Sequence, residues 1–268
     1  NGRSGTSMER LDVALIQSGY AASRQRAKEL IQQGSVTING TVCTKAARSV
    51  SETDQLAVTD AGLQYVGRGG LKLEAALPLL GSFSLQGAVC MDIGASTGGF
   101  TDCMLQNGAQ KVYAVDVGRD QLAQKLRQDA RVVNLEQTDI RKLPETAVAE
   151  PIAFLSVDVS FISLRLIIPE LVRFLQPGGM AILLIKPQFE AGKEGVGKHG
   201  IVRSQSVHQH VLEQVLSCLA QNGLSLQHLI PSPIRGGSGN VEYLAVVQYS
   251  TSSAQPQDLA AVVRQAFA

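Results

Sequence analysis

The chain has 268 residues, 44% of them hydrophobic and 18% charged, with a formal net charge of +1. That length suits one large or two modest domains with ample material for a core, and the near-neutral balance excludes a global basic field, so any contact with nucleic acid must come from local clustering. Cys43, Cys90, Cys103 and Cys218 stand far apart, which argues against a zinc site or a disulfide framework and fits a reducing cytoplasm, and no apolar run reaches the roughly 18 residues of a membrane span.

Residues 1–7 lack the hydrophobic core of a signal peptide and read as a cloning remnant. Residues 8 to about 60 form a compact segment distinct in pattern from the remainder of the chain. Apolar residues at helical spacing over 10–16 predict a helix that ends at Gly19. Ser23 reads as the N-cap of a second helix, over 24–31, which stops at Gly34. Residues 35–42 then alternate around Asn39-Gly40, the strongest short hairpin signal. Between Tyr20 and Val50 the cations Arg24, Arg26, Lys28, Lys45 and Arg48 are opposed only by Glu29, a local excess of four positive charges. Phosphate contacts use such clustering. The charges alone also fit a solvated basic helix face.

A short connection over 61–64 leads to Arg68-Gly69-Gly70, a flexible entry to a helix that carries Lys72 near its start. A cation there opposes the positive end of the helix dipole, which hints at a task beyond solvation. Next, from Val89 to Phe100, an apolar run ends in Asp92, then come Gly94-Ala95-Ser96-Thr97-Gly98-Gly99 and the start of a helix. A buried strand turning tightly into a helix has this form. Glycine lets the backbone turn and a ligand approach without meeting a Cβ, and the helix start offers free N–H groups. No Gly-Lys-Ser/Thr comes after it, so it is not a phosphate loop, and the spacing is not that of the dinucleotide fingerprint.

Strands over 111–116, 132–139, 152–158, 180–185, 224–230 and 242–247, with helices over 166–175 and 207–220, continue a βα alternation. The fold class this predicts is α/β, a doubly wound, mostly parallel sheet of seven strands with the last antiparallel, preceded by a small α+β unit. The segment beyond Ser250 is polar, then weakly helical. In such sheets ligands sit at the carboxyl ends of the strands, and those ends carry Asp92, Asp116, Asp139, Asp158 and Lys186. Asp116 is placed where an acid can hold ribose hydroxyls, an argument shared with nicotinamide enzymes. Asp116 or Asp139 taken alone could equally be a turn or helix cap.

Asp92-x-Gly94-x-x-x-Gly98-Gly99-Phe100 resembles motif I of S-adenosylmethionine-dependent methyltransferases of the FtsJ type. The resemblance implies that Asp92, Gly94, Ala95, Ser96, Gly98, Gly99 and Phe100 surround S-adenosyl-L-methionine, with Asp116 at its ribose and Asp139 near its adenine. Lys72, Asp158, Lys186 and Glu242, in that order, resemble the Lys-Asp-Lys-Glu tetrad of FtsJ-type ribose 2′-O-methyltransferases. That set has a physical logic. A ribose hydroxyl is a poor nucleophile until its proton is drawn away, and a lysine that is crowded by a second cation and partly desolvated has a lowered pKa and can accept or orient that proton. Lys186 is expected as the base or orienting group, Asp158 and Lys72 as its tuning partners, and Glu242 as the anchor of the far side. Ser96-Thr97 replaces the Ala-Pro of FtsJ itself, so details of that loop are not carried over.

Arg10-Leu11-Asp12, Ser23-Arg24-x-x-Ala27, Ile31-x-x-Gly34-x-Val36 and Ile38-Asn39-Gly40 resemble the small RNA-binding domain named after ribosomal protein S-four, which implies RNA contacts by Arg10, Arg24, Arg26, Lys28, Lys45 and Arg48. Taken whole, residues 8 to about 249 are similar to the TlyA (hemolysin A) family, an RNA-binding domain (8–60) fused to a methyltransferase domain (65–250). Membership implies 2′-O-methylation of cytidine in ribosomal RNA, with free RNA or ribosomal subunits as partners, no metal, no obligate protein partner, no membrane and a cytoplasmic location. Three rival readings are a ribosome-assembly factor that binds RNA and cofactor with little catalysis, a membrane-lytic protein as the hemolysin name suggests, and a dehydrogenase. The glycine-rich segment 190–203, with Lys193, Lys198, His199 and Arg203, fits a lid over RNA or a surface loop. His208 and His210 point to different faces of a helix and do not form a metal pair.

Overall fold

The computed structural model describes residues 8–59, 63–236 and 239–268. The remnant expected at 1–7 and residues 61–62 of the connection expected at 61–64 lie outside these residues.

In the N-terminal part, strand β1 (Met8–Arg10) leads into helix α1 (Leu11–Gln17), and helix α2 (Arg24–Gln32) comes next. Both helices stop where a glycine takes a positive φ, Gly19 at +78° and Gly34 at +75°, the left-handed turn that closes a helix. Ser23 caps α2 as its residue type predicts, its Oγ accepting from the Arg26 amide at 3.1 Å. Strands β2 (Val36–Ile38) and β3 (Thr41–Val42) form the hairpin around Asn39 and Gly40, at φ +50° and +82°. Positive φ at both central residues is what a twisted two-residue hairpin requires. Two short strands that the periodicity did not mark, β4 (Ser49–Ser51) and β5 (Leu56–Val58), pair with β1 and β2. Leu11, Leu15, Leu30, Ile31 and Val36 form the core of this part.

The larger part begins with helix α3 (Gly69–Ala76) and builds one seven-stranded sheet. In chain order it contains β6 (Val89–Ile93), α4 (Gly99–Gln106), β7 (Lys111–Val115), α5 (Gln124–Arg127), β8 (Val132–Leu135), β9 (Ile152–Val157) and α6 (Leu164–Leu171). Then come β10 (Leu175–Ile185), the one-turn helices α7 (Pro187–Glu190) and α8 (Gly192–Gly195), α9 (Gln205–Gln221), β11 (Leu224–Pro231), β12 (Tyr243–Tyr249) and α10 (Leu259–Ala266). The sheet order is β11-β12-β10-β9-β6-β7-β8, and β12 runs antiparallel between β10 and β11. The predicted fold class, strand count and antiparallel last strand are those observed. Strand β10 is longer than expected because residues 175–179 join it through an irregularity at Pro177-Gly178-Gly179.

Alternation along the strands divides the core between the two faces of the sheet. Met91, Ile93, Tyr113, Val115, Leu155 and Val157 pack toward α6, α9 and α10. Cys90, Val112, Ala114, Phe154, Ile182, Leu184 and Leu244 pack toward α3, α4 and α5. The weakly helical end of the chain is α10, whose Val263 is buried, and Phe267 just beyond it lies edge-on to His208 at 4.9 Å. Among the described residues no helix is long and apolar enough to cross a membrane.

The two parts touch through specific groups. The Arg68 guanidinium donates to Ser18 O at 3.0 Å and lies over the Tyr20 ring, and the Arg235 amide donates to Gln17 O at 2.7 Å.

Candidate active site

Strand parity explains why four charged residues from distant stretches share one place. Asp158 continues the phase of Phe154 and Ser156, Lys186 that of Ile182 and Leu184, and Glu242 that of Leu244 and Val246. Phe154, Ile182, Leu184, Leu244 and Val246 all face α3 and α4. Ile185 is the register partner of Tyr243, so Lys186 and Glu242 leave the sheet side by side at its carboxyl edge. Lys72 comes from α3, above that face. The Lys186 ammonium lies 2.5 Å from Asp158 Oδ1 and donates to Ser160 Oγ at 3.2 Å. The Lys72 ammonium donates to Glu242 Oε1 at 3.0 Å. Lys72 is 6% exposed and Glu242 1%, so that pair is shielded from water, whereas in the other pair Lys186 is buried and Asp158 is half-buried at the cleft.

All four line a cleft of about 650 Å³, together with Gly94, Ala95, Ser96, Thr97, Gly99 and Phe100 of the glycine loop. A second cavity of about 330 Å³, lined by Asp116, Asp139, Ile140 and Phe161, shares Gly94, Ser96, Asp158 and Ser160 with the first. The glycine loop therefore stands where the two meet. Gly94 has φ +84°, and a Cβ there would come within 2.0 Å of Asp158 O. Its lack of a side chain lets β6 and β9 close on each other directly beneath the Lys186–Asp158 pair.

The acids of the glycine-loop side divide into two kinds. Asp116 holds the loop in shape, Oδ2 accepting from the Ser96 amide and Oδ1 from the Gly118 amide, both at 2.7 Å. A carboxylate has about four acceptor positions, so two remain for a ligand. Asp139 lines the smaller cavity but is gripped by Arg141, with Nη2 to Oδ2 at 2.9 Å, and that hydrogen bonding holds its carboxyl below the usual range. Asp92 lines neither cavity. Its parity is that of Cys90, so it lies under α4, 1% exposed, where Oδ2 accepts from the Thr101 amide at 3.1 Å and the Thr101 hydroxyl at 2.7 Å. Gly98, at the N-cap, has no side chain to satisfy an amide in the first turn of α4, and Asp92 does so from the strand. Burial raises its carboxyl to about 7. Gly98 also faces inward, where a Cβ would meet Leu126 at 2.2 Å. Asp92 and Gly98 thus build the loop and do not line the cavities.

Arg68-Gly69-Gly70 is packed, not flexible: a Cβ on Gly70 would come 2.5 Å from the Tyr65 ring, and one on Gly99 would meet Gly70 N at 2.8 Å. This close approach fixes α3, and with it Lys72, against the start of α4.

In the N-terminal part Arg10 and Arg24 both pair with the buried Asp12, at 3.0 and 3.2 Å. The Arg10 hydrogen bond holds that carboxyl at about 2. Arg26 pairs with Glu29 at 3.3 Å, and Lys45 and Arg48 are exposed. None of these cations lines either cavity.

Sequence reasoning singled out neither Ser160, Gln188 and Phe189 of the larger cleft nor Phe161 of the smaller cavity. Phe161 is 90% exposed at φ +63°, its ring 4.9 Å from that of Phe189. A bulky residue in that region is an outlier that singles out functional loops, a signal absent from the sequence. Segment 190–203 is anchored: Val202 is buried, its amide donates to Asn240 Oδ1 at 3.1 Å, and its carbonyl meets His208 Nε2 at 2.8 Å. The other His208 nitrogen, Nδ1, meets the Tyr243 hydroxyl at 2.9 Å. Among the described residues no group of three or more His, Cys, Asp or Glu is placed to hold a metal ion.

The profile of the FtsJ-like methyltransferases matches residues 65–249, and that of the S4 domain matches residues 9–56. The 16S/23S rRNA (cytidine-2′-O)-methyltransferase TlyA of Mycobacterium tuberculosis is 41% identical over 246 residues, covering 91% of each chain. The rRNA methyltransferase candidate YqxC of Bacillus subtilis is 47% identical over 252 residues, 94% of this chain and 89% of its own. A solved structure of a hemolysin candidate from Streptococcus thermophilus superposes with a TM-score of 0.76 at 44% identity, covering 98% of this chain and 97% of that one.

Proposed function

The chain belongs to the FtsJ-like methyltransferases, in the branch that carries an N-terminal S4 domain, and we propose that it methylates the ribose 2′-hydroxyl of a cytidine in ribosomal RNA, using S-adenosyl-L-methionine. The observation that carries this reading is the presence of two ion pairs, Lys72–Glu242 and Lys186–Asp158, in a cleft that meets a second cavity at a glycine loop.

The smaller cavity fits the cofactor. Asp116 has acceptor positions left for a ribose diol, and Ile140, Val117 and Ile162 give apolar walls for a flat base. Gly94, Ala95 and Ser96 would pass along the aminoacyl end, and Asp139, though held by Arg141, lies at the adenine side. Asp92, Gly98, Gly99 and Phe100 support that loop. When bound, the cofactor supplies an electrophilic methyl group.

The protein's own part is to deliver a ribose oxygen in line and take its proton. Lys186, fixed by Asp158 and Ser160, faces the cleft and orients the hydroxyl, and the proton passes to the Lys186–Asp158 pair. Lys72 and Glu242 hold the opposite wall. Because methyl transfer needs a linear approach, fixed geometry supplies much of the rate. Residues 65–250 are the catalytic unit in this reading.

Residues 8–60 are the RNA-binding unit, with Lys45 and Arg48 exposed to meet phosphates, Arg10 and Arg24 arranged about Asp12, Arg26 beside Glu29, and Lys28 half-buried on α2. Phe161 offers an exposed aromatic face of the kind on which unpaired bases stack.

The test is tritiated methyl transfer to purified ribosomal subunits and to free ribosomal RNA, with Lys186→Ala alongside. Label in RNA that falls roughly 10²- to 10⁴-fold in the variant is expected for a proton-handling group. Cofactor binding without transfer to either RNA would instead leave a ribosome-binding factor.

A further inference from the structure

Among the described residues, one buried side-chain polar atom is without a hydrogen-bond partner, Gln188 Oε1, and it belongs to a residue that lines the active cleft. Native proteins satisfy nearly all such atoms, so each exception asks for an explanation. The charged groups of the cleft are all engaged, Lys72 with Glu242, Lys186 with Asp158 and Arg68 with Ser18 O. Glu190, two residues on, is engaged by Ser163 and the Leu164 amide. Gln188 alone in this stretch keeps an unmet acceptor, and the proton-transfer chemistry has no use for a neutral amide.

Its placement is specific. Pro187 opens the one-turn helix α7 directly after Lys186 and is buried, so Gln188 is carried at a fixed offset from the ammonium that orients the ribose hydroxyl. Phe189 closes the same corner, its ring centroid 6.0 Å from Lys186 Nζ. The terminal torsion of glutamine is broad, so a turn of the amide brings its carbonyl or its amino group to the cleft face. A carboxamide presents an acceptor and a donor side by side, the complement of a nucleobase edge. Cytosine shows the matching sequence, an exocyclic amine that donates next to a ring nitrogen that accepts. A base attached to the ribose held at Lys186 has its edge in the same cleft.

We propose that Gln188 is the specificity-determining residue that reads the Watson–Crick edge of the target pyrimidine, its carbonyl turning to the cleft and accepting from the exocyclic amine of cytosine once the nucleotide enters. This rests on the methyl-transfer reading above and deepens it. An acceptor already removed from water loses little on forming that bond, whereas a base without the amine leaves it unmet, and sites built in this way reject analogues that lack the donor.

The experiment uses the full-length protein and RNA whose methylated nucleotide has been mapped by mass spectrometry, rebuilt by ligation with cytidine or with the ribonucleoside of pyrimidin-2-one, which lacks only the amine. Wild type should prefer cytidine roughly ten- to a hundredfold in kcat/KM. Gln188→Met, close in shape but unable to bond, should bring that ratio near one. Gln188→Glu, an acceptor without the donor, should keep preference for the amine and serves as a second variant if the first is unstable. Cofactor affinity, measured by calorimetry, should stay unchanged in both. An unaltered ratio in Gln188→Met, or in a folded Gln188→Glu a ratio near one, overturns the assignment while leaving the methyl-transfer reading intact. Failure of wild type to methylate any RNA removes both, and the two results are distinct.

Discussion

Lys72 and Glu242, 170 residues apart in sequence, meet at 3.0 Å with both side chains almost wholly buried. Such a pair is poor evidence for stability, because desolvating two charges can cost more than their attraction returns. Its position, joining α3 to the start of β12 at the carboxyl edge of the sheet, gives it another use. Lys72 sits in the first turn of α3, where the helix dipole disfavours a cation, and Glu242 is the group that offsets this.

Removing one partner should therefore be worse than removing both. Glu242→Leu leaves a buried ammonium with no counter-charge and should cost about 3–5 kcal/mol. The double variant Lys72→Met/Glu242→Leu should recover most of that in urea unfolding, yet remain inactive in methyl transfer. A double variant with wild-type activity would show that the pair has no part in the site.

Gly94→Ala tests the close approach beneath the other pair. The residue sits at φ +84° and an added Cβ would come within 2.0 Å of Asp158 O, so the alanine must push β9 away and take Asp158 from Lys186. Gly40→Ala is the comparison, because it has φ +82° but open space around the added carbon. Left-handed backbone alone costs roughly 1–2 kcal/mol, and Gly40→Ala should show only that. Gly94→Ala should lose more in thermal unfolding and abolish methyl transfer. Equal losses for the two would mean that the close approach at Gly94 is unimportant.

The sequence carried the sheet because apolar runs of strand length are a local signal, whereas the tetrad came from the resemblance to FtsJ-type enzymes, since Lys72 lies on a helix and Glu242 ahead of its strand. It could not separate Asp92 from Asp116. Both are acids at strand ends, but Asp92 is still in phase with Cys90 and turns under α4 toward Thr101, while Asp116 stands past its strand and meets the Ser96 amide. Asp92 is in register with Ala114, so Asp116 lies two residues farther along, a difference visible only when the strand ends are known. The short strands β4 and β5 escaped notice because three residues give no periodicity to count. Arg68-Gly69-Gly70 looked flexible for the ordinary reason that glycines do, and the Tyr65 ring and Gly99 that pack on it are far away in sequence or need coordinates to place. Gln188 carried no signal in the sequence, since an unmet hydrogen bond is a property of surroundings.

The N-terminal cations should differ in what they contribute to RNA binding. Arg10 and Arg24 are held by Asp12, whereas Lys45 and Arg48 are exposed. Lys45→Ala and Arg48→Ala should each flatten the plot of log affinity against log salt by about 0.7–0.9 for every phosphate the variant no longer neutralises. Lys111→Ala, at the opposite edge of the sheet and paired with Glu150 at 2.8 Å, should leave the slope as it is. Filter binding of ribosomal RNA over a salt series measures all three, and a slope unchanged by Lys45→Ala and Arg48→Ala would place the RNA elsewhere.

Asp92 gives the pH dependence a definite sign. Burial raises its carboxyl from the ordinary 3.8 to about 7 in the folded protein. Below pH 4 the group is protonated in both states. Between about 4 and 7 the unfolded chain has released the proton while the folded chain still holds it, so this group makes stability fall as pH rises. Above about 7 both states are ionised and the effect levels off. Asp92→Asn keeps a carbonyl to accept from Thr101 and removes the titration. The variant's stability relative to wild type should therefore rise between pH 4 and 7 and stay constant above it, as read from urea unfolding at a series of pH values. A difference that does not change with pH would mean that the carboxylate is ionised throughout, with the Thr101 amide and hydroxyl bonds outweighing its burial.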